Sequence, residues 1–332
     1  MRFRRILRAI LVMAAAAAPL AAGARPAEYK SAIAVDAATG AILYSENADA
    51  VSPPASMTKL MTFAVLDDIL REGRITLSTP VTATAEDARV GATRDSTVVW
   101  LRQGETFTVD ELIYAMMIQS ANDAANALAH ASAGTVPAFV ALMNVKAREL
   151  GMLSSTFRTP NGFPVRGRRV SEGDLTSPRD YSLLCRYLLL HTDILRYTSV
   201  RSRTFGAGVR LNPTRMTNHN NLLGRVEGVD GLKTGFTNGA GFCLSATAER
   251  NGHRVIVIMM GSPDQRSRDR AVVGLIRESL LRIPITEPPF QRAEGGRDGA
   301  PAPARLAVPA APTRPSPDPD QPPVITLPKG IR

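Results

Sequence analysis

The sequence predicts an α/β fold in which an antiparallel sheet, built from both ends of the chain, packs on a cluster of helices. Strand-like segments occupy residues 31–45 and 229–260, whereas the middle of the chain carries mainly helical patterns. Hydrophobic residues make up 44% and charged residues 21% of the 332 residues, which is enough for a substantial core. This length allows one large domain or two small ones.

The first predicted element is a β-hairpin with strands at residues 31–36 and 41–45, joined by an Ala-Thr-Gly turn. A Ser-Pro-Pro break at residues 52–54 follows. Apolar residues at helical spacing then predict a buried helix over residues 59–71. The Thr- and Val-rich residues 76–100 show only short strand-like pieces.

A long helical pattern covers residues 109–133 and is interrupted at Ser120. Thr108 followed by Glu111 predicts a capping box at the start of this helix. The interruption would allow the side chains of Ser120 and Asn122 to point together into a cleft, while a second helix begins just beyond them.

The C-terminal half is predicted to contain further helices, a loop and a second hairpin. The helices are expected at residues 136–150, 178–190 and 264–281, the Gly-, Pro- and Arg-rich loop at 159–176, and the apolar hairpin at 242–249 and 255–260. Pro and Ala dominate residues 284–332, which predicts a disordered or extended tail. Such a tail fits a spacer, a partner-binding segment or a solvated end without a specific role.

The N-terminus has the pattern of a secretory signal peptide. Four arginines in the first eight residues precede an apolar stretch from Ala9 to about Ala22, and Ala22-Gly23-Ala24 fits the small-x-small cleavage rule. We therefore expect a signal peptide at residues 1–24, a catalytic domain at 25–283, and a periplasmic or secreted mature protein. An uncleaved membrane anchor is the alternative, but the run is short for a span, and no second one of sufficient length follows.

The net charge is +10, from 40 basic and 30 acidic residues, which favours anionic surroundings such as cell-wall polymers or membrane surfaces. Nucleic acid is a weaker interpretation, because the arginines are scattered and aromatic residues make up only 5%. Cys185 and Cys243 lie in apolar stretches and are expected to be buried free thiols. The four histidines show no ligand spacing, so we expect no metal and no other cofactor.

The most informative motif is Ser56-Met57-Thr58-Lys59 at a predicted helix start. Residues three apart share a helical face, so the amine of Lys59 lies within reach of the hydroxyl of Ser56. A desolvated lysine held near neutrality takes a proton from serine and so activates it as a nucleophile. Taken alone, the motif also fits a capping serine followed by a solvated lysine.

Two further motifs favour the catalytic interpretation over the capping serine, namely Ser120-Ala121-Asn122 and Lys233-Thr234-Gly235. Ser-x-x-Lys, Ser-x-Asn and Lys-Thr-Gly, in this order, resemble the active-site set of penicillin-binding proteins and serine β-lactamases. The resemblance is strongest to the D-alanyl-D-alanine carboxypeptidases of the peptidase S11 family and covers roughly residues 28–283. It implies a penicillin-binding transpeptidase-like (serine β-lactamase-like) α/β domain, in agreement with the elements above.

The resemblance also implies a mechanism and its residues. Ser56 would attack the penultimate D-alanine carbonyl of a peptidoglycan stem peptide, Lys59 would act as general base, and water would hydrolyse the acyl-enzyme. Ser120 would relay a proton to the leaving amine, although a mid-helix serine bonded to its own backbone is the alternative. Asn122 would contact Lys59 and the substrate amide, or instead cap the following helix. β-Lactam antibiotics would be covalent inhibitors.

The remaining site residues are expected to bind substrate. Lys233 and Thr234 suit its terminal carboxylate, Gly235 would let an extended substrate approach the strand, and the backbone N–H groups of Ser56 and Phe236 would form the oxyanion hole. Arg268 falls where the family's carboxylate-binding arginine lies, with the neighbouring Arg266 and Arg270 as competitors.

Three other functions remain open from the sequence. A D,D-endopeptidase that cuts peptidoglycan cross-links fits a short member in which the Pro-rich tail replaces the second domain and the membrane-docking helix of many relatives; no strong membrane anchor is then expected in the mature chain. A β-lactamase requires a deacylating acid, for which only Glu172 and Asp174 are available, in a poorly matching loop. A wall-binding protein without chemistry conflicts with three intact motifs.

Overall fold

The computed structural model describes residues 28–91, 96–163, 169–283 and 289–292. The predicted signal peptide and most of the predicted tail lie outside these residues. The strands are β1 (Ser31–Asp36), β2 (Ile42–Glu46), β3 (Pro80–Thr82), β4 (Thr106–Thr108), β5 (Ser202–Phe205), β6 (Thr214–Thr217), β7 (Val229–Thr237), β8 (Gly241–Arg250) and β9 (His253–Ser262). The helices are α1 (Lys59–Arg71), α2 (Ala85–Val90), α3 (Val109–Tyr114), α4 (Asn122–Ala133), α5 (Val136–Glu149), α6 (Pro178–His191), α7 (Ile194–Thr198) and α8 (Gln265–Arg282).

Both ends of the described chain form one antiparallel sheet with the strand order β2-β1-β9-β8-β7. Side chains alternate between its two faces, as the pleat requires. Ile256 and Ile258 of β9 belong to the core shared with the helical cluster, whereas Val255 and Val257 belong to a second core with α8. The expected antiparallel sheet on helices is therefore confirmed, and β7, which carries the Lys-Thr-Gly motif, is an edge strand.

The interruption predicted at Ser120 is confirmed. The chain leaves α3 through a π-helical turn at Ala115–Gln119, Ser120 adopts a left-handed conformation with φ of 63°, and α4 then begins. At the start of α3, Thr108 accepts a hydrogen bond from the Glu111 N–H, but the Glu111 side chain bonds Gly206 and Arg203 instead of closing a capping box. The predicted box is thus only half formed.

Two helices and three short strands were not predicted, one of the strands being β4. Helix α2 lies within the region expected to contain only strand-like pieces, and a reciprocal capping box of Thr84 and Asp87 begins it. The short helix α7 and the β5–β6 hairpin fill the stretch between α6 and β7. The two cysteines are buried and free, as expected.

Residues 289–292 lie against the domain although the sequence predicts a tail from residue 284. The Phe290 N–H donates to the Gly252 carbonyl at 2.6 Å, and Arg292 contacts Asp193 at 2.8 Å. Within the described ranges, no single helix has the length and hydropathy of a membrane span; α4 and α5 meet those criteria only jointly, as a pair bent by 87°.

Candidate active site

Ser56 and Lys59 lie where the sheet meets the helical cluster. A 3₁₀ turn at Ala55–Thr58 carries Ser56 directly into α1, and the Tyr181 hydroxyl donates to the Met57 carbonyl and so anchors this turn. The Nζ of Lys59 is 3.0 Å from the Oγ of Ser56, and the lysine side chain is fully buried. The alternative of a capping serine with a solvated lysine is therefore wrong.

Two other contacts orient the amine of Lys59. Its Nζ donates to the Oδ1 of Asn122 at 2.6 Å and to the backbone carbonyl of Asn161 at 2.7 Å. A neutral amine has two N–H bonds and one lone pair. With both N–H bonds taken by carbonyl oxygens, the lone pair of the neutral form points at the Ser56 Oγ, whereas the ammonium form donates its third N–H to this oxygen. The geometry is therefore compatible with the deprotonated form of the lysine.

The electrostatics favour the same form. Burial lowers the pKa of Lys59 well below its usual value, and the positive charge of Lys233 lowers it further, while Asp174 and Asp123 oppose the shift. Burial and the charge of Arg268 lower the pKa of Lys233 to about 7. Lys233 is buried and its Nζ donates to the Thr234 carbonyl at 3.0 Å.

The helix interruption places Ser120 on the wall of the cleft that Ser56 also lines. It is 2% exposed, and within the described part of the chain its Oγ has no hydrogen-bond partner. The alternative of a serine bonded to its own backbone is thus wrong. A buried hydroxyl that lacks a partner is costly in a folded protein, which marks it as available to a reacting group.

Asn122 is the first residue of α4 and does not cap that helix. Its Oδ1 accepts from Lys59, its Nδ2 donates to the Oγ of Ser96 at 3.0 Å, and its backbone N–H donates to Thr97. The neighbouring Asp123 accepts from the backbone of Val99. These contacts fix the amide orientation, so that its oxygen faces the amine.

Gly235 brings β7 close to the nucleophile's turn. A Cβ at this position would lie 2.5 Å from the Pro54 carbonyl oxygen and 3.2 Å from the Met57 nitrogen. The space that a side chain would take is therefore filled by protein, and the absence of a side chain sets the distance between the Lys-Thr-Gly strand and Ser56. Gly235 also lines the cleft, and the approach of an extended substrate to the strand at this residue stays a prediction.

A cleft of about 450 Å³ opens over these groups. Of the nine site residues that the sequence predicts, six line it: Ser56, Ser120, Thr234, Gly235, Phe236 and Arg268. Lys59 and Asn122 lie behind Ser56 through the contacts described above, and Lys233 acts on Lys59 through its charge. The structure therefore brings all nine together.

Arg268 supplies a buried cation to the cleft from the first turn of α8. It is 2% exposed and its guanidinium donates to Asp269, whereas Arg266 and Arg270 are exposed and do not line the cleft. Of the three candidate arginines, only Arg268 is therefore in place. At the other side of the cleft the ring of Phe236, half exposed, stacks on Phe242 with centroids 4.2 Å apart.

Several residues at the site were not singled out from the sequence. The backbone carbonyl of Asn161 accepts from Lys59, a contact that no side chain in the sequence indicates. The Nδ2 of the Asn161 side chain donates to Asn126. His219 also lines the cleft. Although the side chain is exposed, the groups packed around it partly desolvate the imidazole and so lower its pKa, and the charges of Lys233, Lys59 and Arg268 lower it further. A lone histidine outside the three motifs gave no signal for this position.

The acids considered for deacylation are placed elsewhere. Asp174 is buried and accepts four hydrogen bonds, from the hydroxyls of Thr58 and Thr159 and the backbone of Arg158 and Thr159. Burial raises the pKa of its carboxyl group. Glu172 is exposed, and neither acid lines the cleft. In the described ranges, no group of three or more His, Cys, Asp or Glu side chains is arranged to hold a metal ion.

Comparisons with known proteins agree with this geometry. A family model described as D-alanyl-D-alanine carboxypeptidase, peptidase S11, matches residues 16–264. D-alanyl-D-alanine carboxypeptidase DacF of Bacillus subtilis is 32% identical over 252 residues, which are 75% of this chain and 61% of that protein. DacC of Escherichia coli is 36% identical over 239 residues, which are 71% of this chain and 57% of the relative. The chain thus spans about three fifths of the length of these relatives.

The solved structures of similar proteins extend the match to the fold. Penicillin-binding protein D2 of Listeria monocytogenes in its ampicillin-bound form has a TM-score of 0.66 at 31% identity, over 76% of this chain and 97% of that one. Its cefotaxime-bound form has a TM-score of 0.67 at the same identity and coverage. The fold is therefore the penicillin-binding, serine β-lactamase-like α/β fold, and the chain belongs to the peptidase S11 family of D-alanyl-D-alanine carboxypeptidases.

Proposed function

We propose that this protein is a serine-type D-Ala-D-Ala carboxypeptidase that removes the terminal D-alanine from peptidoglycan stem peptides through an acyl-enzyme on Ser56. The observation that carries this proposal is the threefold contact of the Lys59 amine with Ser56, Asn122 and Asn161. It supports a neutral, oriented base beside the nucleophile. Family membership, and the relatives named as D-alanyl-D-alanine carboxypeptidases, support the reaction class.

In the first step the Lys59 lone pair takes the Ser56 proton while Oγ attacks the penultimate D-alanine carbonyl carbon. The backbone N–H groups of Ser56 and Phe236 stabilise the developing oxyanion; losing one such donor in a comparable site costs roughly 3 kcal/mol. The C–N bond then breaks. Ser120, whose hydroxyl is unpartnered among the described residues, passes the proton to the leaving amine.

Two buried cations select the substrate. Lys233 and Arg268, with the hydroxyl of Thr234, hold the terminal carboxylate through charge-assisted hydrogen bonds. Asn122, which holds the Lys59 amine through its Oδ1, also contacts the amide of the substrate. In the second step Lys59 accepts a proton from the water that attacks the ester carbonyl. Lys59 then returns this proton to the Ser56 Oγ as the ester C–O bond breaks, which regenerates the free enzyme and releases the shortened peptide.

β-Lactams are expected to acylate Ser56 and to remain bound as esters. The Listeria relative whose structures are ampicillin- and cefotaxime-bound supports this expectation. The basic head and apolar stretch of residues 1–24 support export, so we place the mature domain at residues 25–283 in the periplasm or outside the cell.

Mass spectrometry of the intact protein after penicillin treatment tests the nucleophile. We expect one adduct, mapped to the peptide that contains Ser56, and none in a Ser56→Ala variant. D-Alanine release from a synthetic pentapeptide, measured in parallel, tests the reaction. Equal labelling of both proteins would refute the assignment of Ser56, and labelling of the wild type without D-alanine release would refute the substrate.

A further inference from the structure

Residues 289–292, which follow the predicted catalytic domain, are fastened to the turn between β8 and β9. We call these four residues the clamp. The Phe290 N–H donates to the Gly252 carbonyl at 2.6 Å, and a Cβ on Gly252 would lie 3.1 Å from the Cβ of Pro289. The partly buried ring of Phe290 packs against the core that the sheet shares with the helical cluster. The clamp is therefore in van der Waals contact with the domain and hydrogen-bonded to it.

The ring of Phe290 also packs on a buried cation. The guanidinium carbon of Arg254, on β9, lies 5.3 Å from the centre of this ring, and the arginine is only 5% exposed. A guanidinium over an aromatic face is attracted by the negative charge of that face, and more strongly where water is excluded. The clamp therefore helps to hold the guanidinium of Arg254 in one position.

Arg254 in turn holds the start of β7. Its Nη1 and Nη2 donate to the two carboxylate oxygens of Asp230 at 2.7 and 2.8 Å, and Nη2 also donates to Glu249 of β8 at 2.6 Å. Asp230 lies where the pairing of β7 with β8 shifts in register, between Val229 and Gly231. Such an irregularity leaves a residue without its partner in the ladder. The bidentate ion pair therefore fixes the strand at a point where backbone pairing is interrupted.

The other end of the clamp contacts helix α7. The guanidinium of Arg292 donates to the Thr192 carbonyl and lies 2.8 Å from the Oδ1 of Asp193, the residue that precedes α7. Helix α7 packs on the start of β7, because a Cβ on Gly231 would lie 2.8 Å from the Oγ1 of Thr198. The clamp thus joins two supports of the same part of β7, namely Arg254 and α7.

This part of β7 leads directly to a residue of the catalytic site. Lys233 comes three residues after Asp230 in the same strand. Their Cα atoms are therefore roughly 10 Å apart. The charge of Lys233 lowers the pKa of Lys59, and this effect weakens as the two amines move apart. A displacement of the start of β7 consequently reaches the general base through Lys233.

We propose that the clamp positions β7 for catalysis, with Phe290 acting through Arg254 and Arg292 acting through α7. The inference rests on the function proposed above, because the reaction that it concerns is the acylation of Ser56. Phe290, Arg254 and Arg292 are positioning residues, since each acts through another group. The part of the chain that supports full activity then extends to residue 292, beyond the boundary expected at residue 283.

The pH profile of acylation separates positioning from a change in stability. Without the clamp, Lys233 lies farther from Lys59, so the pKa of Lys59 rises and the acid limb of the profile moves to higher pH. The other charges that act on Lys59 are those of Asp174 and Asp123, which lie outside β7. A variant that is only less stable keeps its acid limb at the wild-type pH, provided that it is folded at the assay temperature.

The experiment measures stopped-flow acylation of the full chain by penicillin over a range of pH. The clamp variants are Phe290→Ala, Arg292→Gln and the conservative Phe290→Tyr, which keeps the ring. Leu281→Ala and Arg277→Gln are the matched controls, because they remove an apolar and a basic side chain from exposed positions of α8. Urea unfolding establishes that each protein is folded at the assay temperature.

At pH 7 we expect Phe290→Ala to acylate roughly three- to tenfold more slowly than the wild type, with its acid limb at higher pH. Arg292→Gln should move the limb in the same direction by a smaller amount. Phe290→Tyr and both controls should behave as the wild type. If Phe290→Ala does not fold, the comparison of Arg292→Gln with Arg277→Gln decides the question.

Three results would overturn the inference. These are an acid limb at the wild-type pH in both Phe290→Ala and Arg292→Gln, an equal shift in the controls, and a shift in Phe290→Tyr as large as that in Phe290→Ala. In each case the carboxypeptidase proposal stands as long as penicillin labels Ser56 of the wild type. A wild type that penicillin does not label instead refutes the proposed function, and the inference with it.

Discussion

The carbonyl oxygen of Pro54 occupies the place that a side chain at Gly235 would take, 2.5 Å from an ideal Cβ. Real Cβ atoms do not come this close to a backbone oxygen. The strand that carries the Lys-Thr-Gly motif and the turn that carries Ser56 are therefore in direct backbone contact, and their separation is set by a missing methyl group.

A Gly235→Ala variant should consequently push β7 away from Ser56. We expect its penicillin acylation rate to fall at least tenfold and its free energy of unfolding to drop by about 1–3 kcal/mol, as for overpacked sites. Gly274→Ala is the matched control, because a Cβ on this helical glycine meets nothing within 4 Å. Gel-based acylation rates and urea unfolding measure the two effects. Normal acylation by Gly235→Ala would mean that the strand spacing does not control the reaction.

Asn122→Asp tests whether the partner of the Lys59 amine has to be uncharged. The change keeps the shape but places a carboxylate 2.6 Å from the amine, which stabilises the ammonium form and raises the pKa of Lys59. At pH 7 we expect acylation to slow by roughly 10- to 100-fold and to recover as the pH is raised. Asn251→Asp, on the exposed β8–β9 turn, adds the same charge as a control. A slow rate that is independent of pH would contradict this account.

The pH profile of acylation should have an acid limb and an alkaline limb. The rate rises as Lys59 loses its proton, which burial and the charge of Lys233 shift below the usual range, and falls as Lys233 passes its pKa of about 7. Lys233→Gln removes a charge that lowers the pKa of Lys59, so its acid limb should move to higher pH. Stopped-flow acylation with penicillin between pH 5 and about 9 measures the position of the acid limb. An acid limb at the same pH in Lys233→Gln and in the wild type would show that the charge of Lys233 does not lower the pKa of Lys59.

Stability should rise with pH for the same reason. Lys233 has its ordinary pKa of 10.5 when unfolded and about 7 when folded, so the unfolded chain binds more protons between these values. The free energy of unfolding then increases with pH over this window, at most by about 1.4 kcal/mol per pH unit for this group. Urea unfolding at several pH values should show a shallower slope in Lys233→Met, and an unchanged slope in the exposed-lysine control Lys30→Met.

The buried pair of Lys146 and Asp68 supports the helix that carries Lys59. The Nζ of Lys146 lies 2.8 Å from the Oδ2 of Asp68, and both side chains are at most 4% exposed. Lys146→Met leaves a buried carboxylate unpaired and should destabilise by roughly 3–5 kcal/mol. Adding Asp68→Asn should recover part of this loss, with penicillin acylation retained throughout at low temperature. A single variant as stable as the wild type would show that the pair contributes nothing.

The sequence was sufficient where periodicity or motif chemistry is strong. The buried helix predicted at residues 59–71 is found at Lys59–Arg71, and nine residues from three motifs and α8 converge. It failed where the signal is short or belongs to the backbone. The six-residue helix α2 spans too few turns for a periodic pattern, and the Asn161 carbonyl is a group that every residue carries. Such contacts depend on where a loop returns, which tertiary packing decides.

The π-helical turn at Ala115–Gln119 has a consequence for how this site tolerates change. A turn of this kind holds one residue more than an α-helical turn, so removing a single residue from it would let α3 continue in regular register. Ser120 would then rotate by roughly 100° about the helix axis and its hydroxyl would leave the cleft, while the core residues of α3 would keep their places. A one-residue deletion in this turn is therefore predicted to abolish the reaction that uses Ser120 while the domain stays folded. Catalysis in this fold thus depends on one extra residue in a helix.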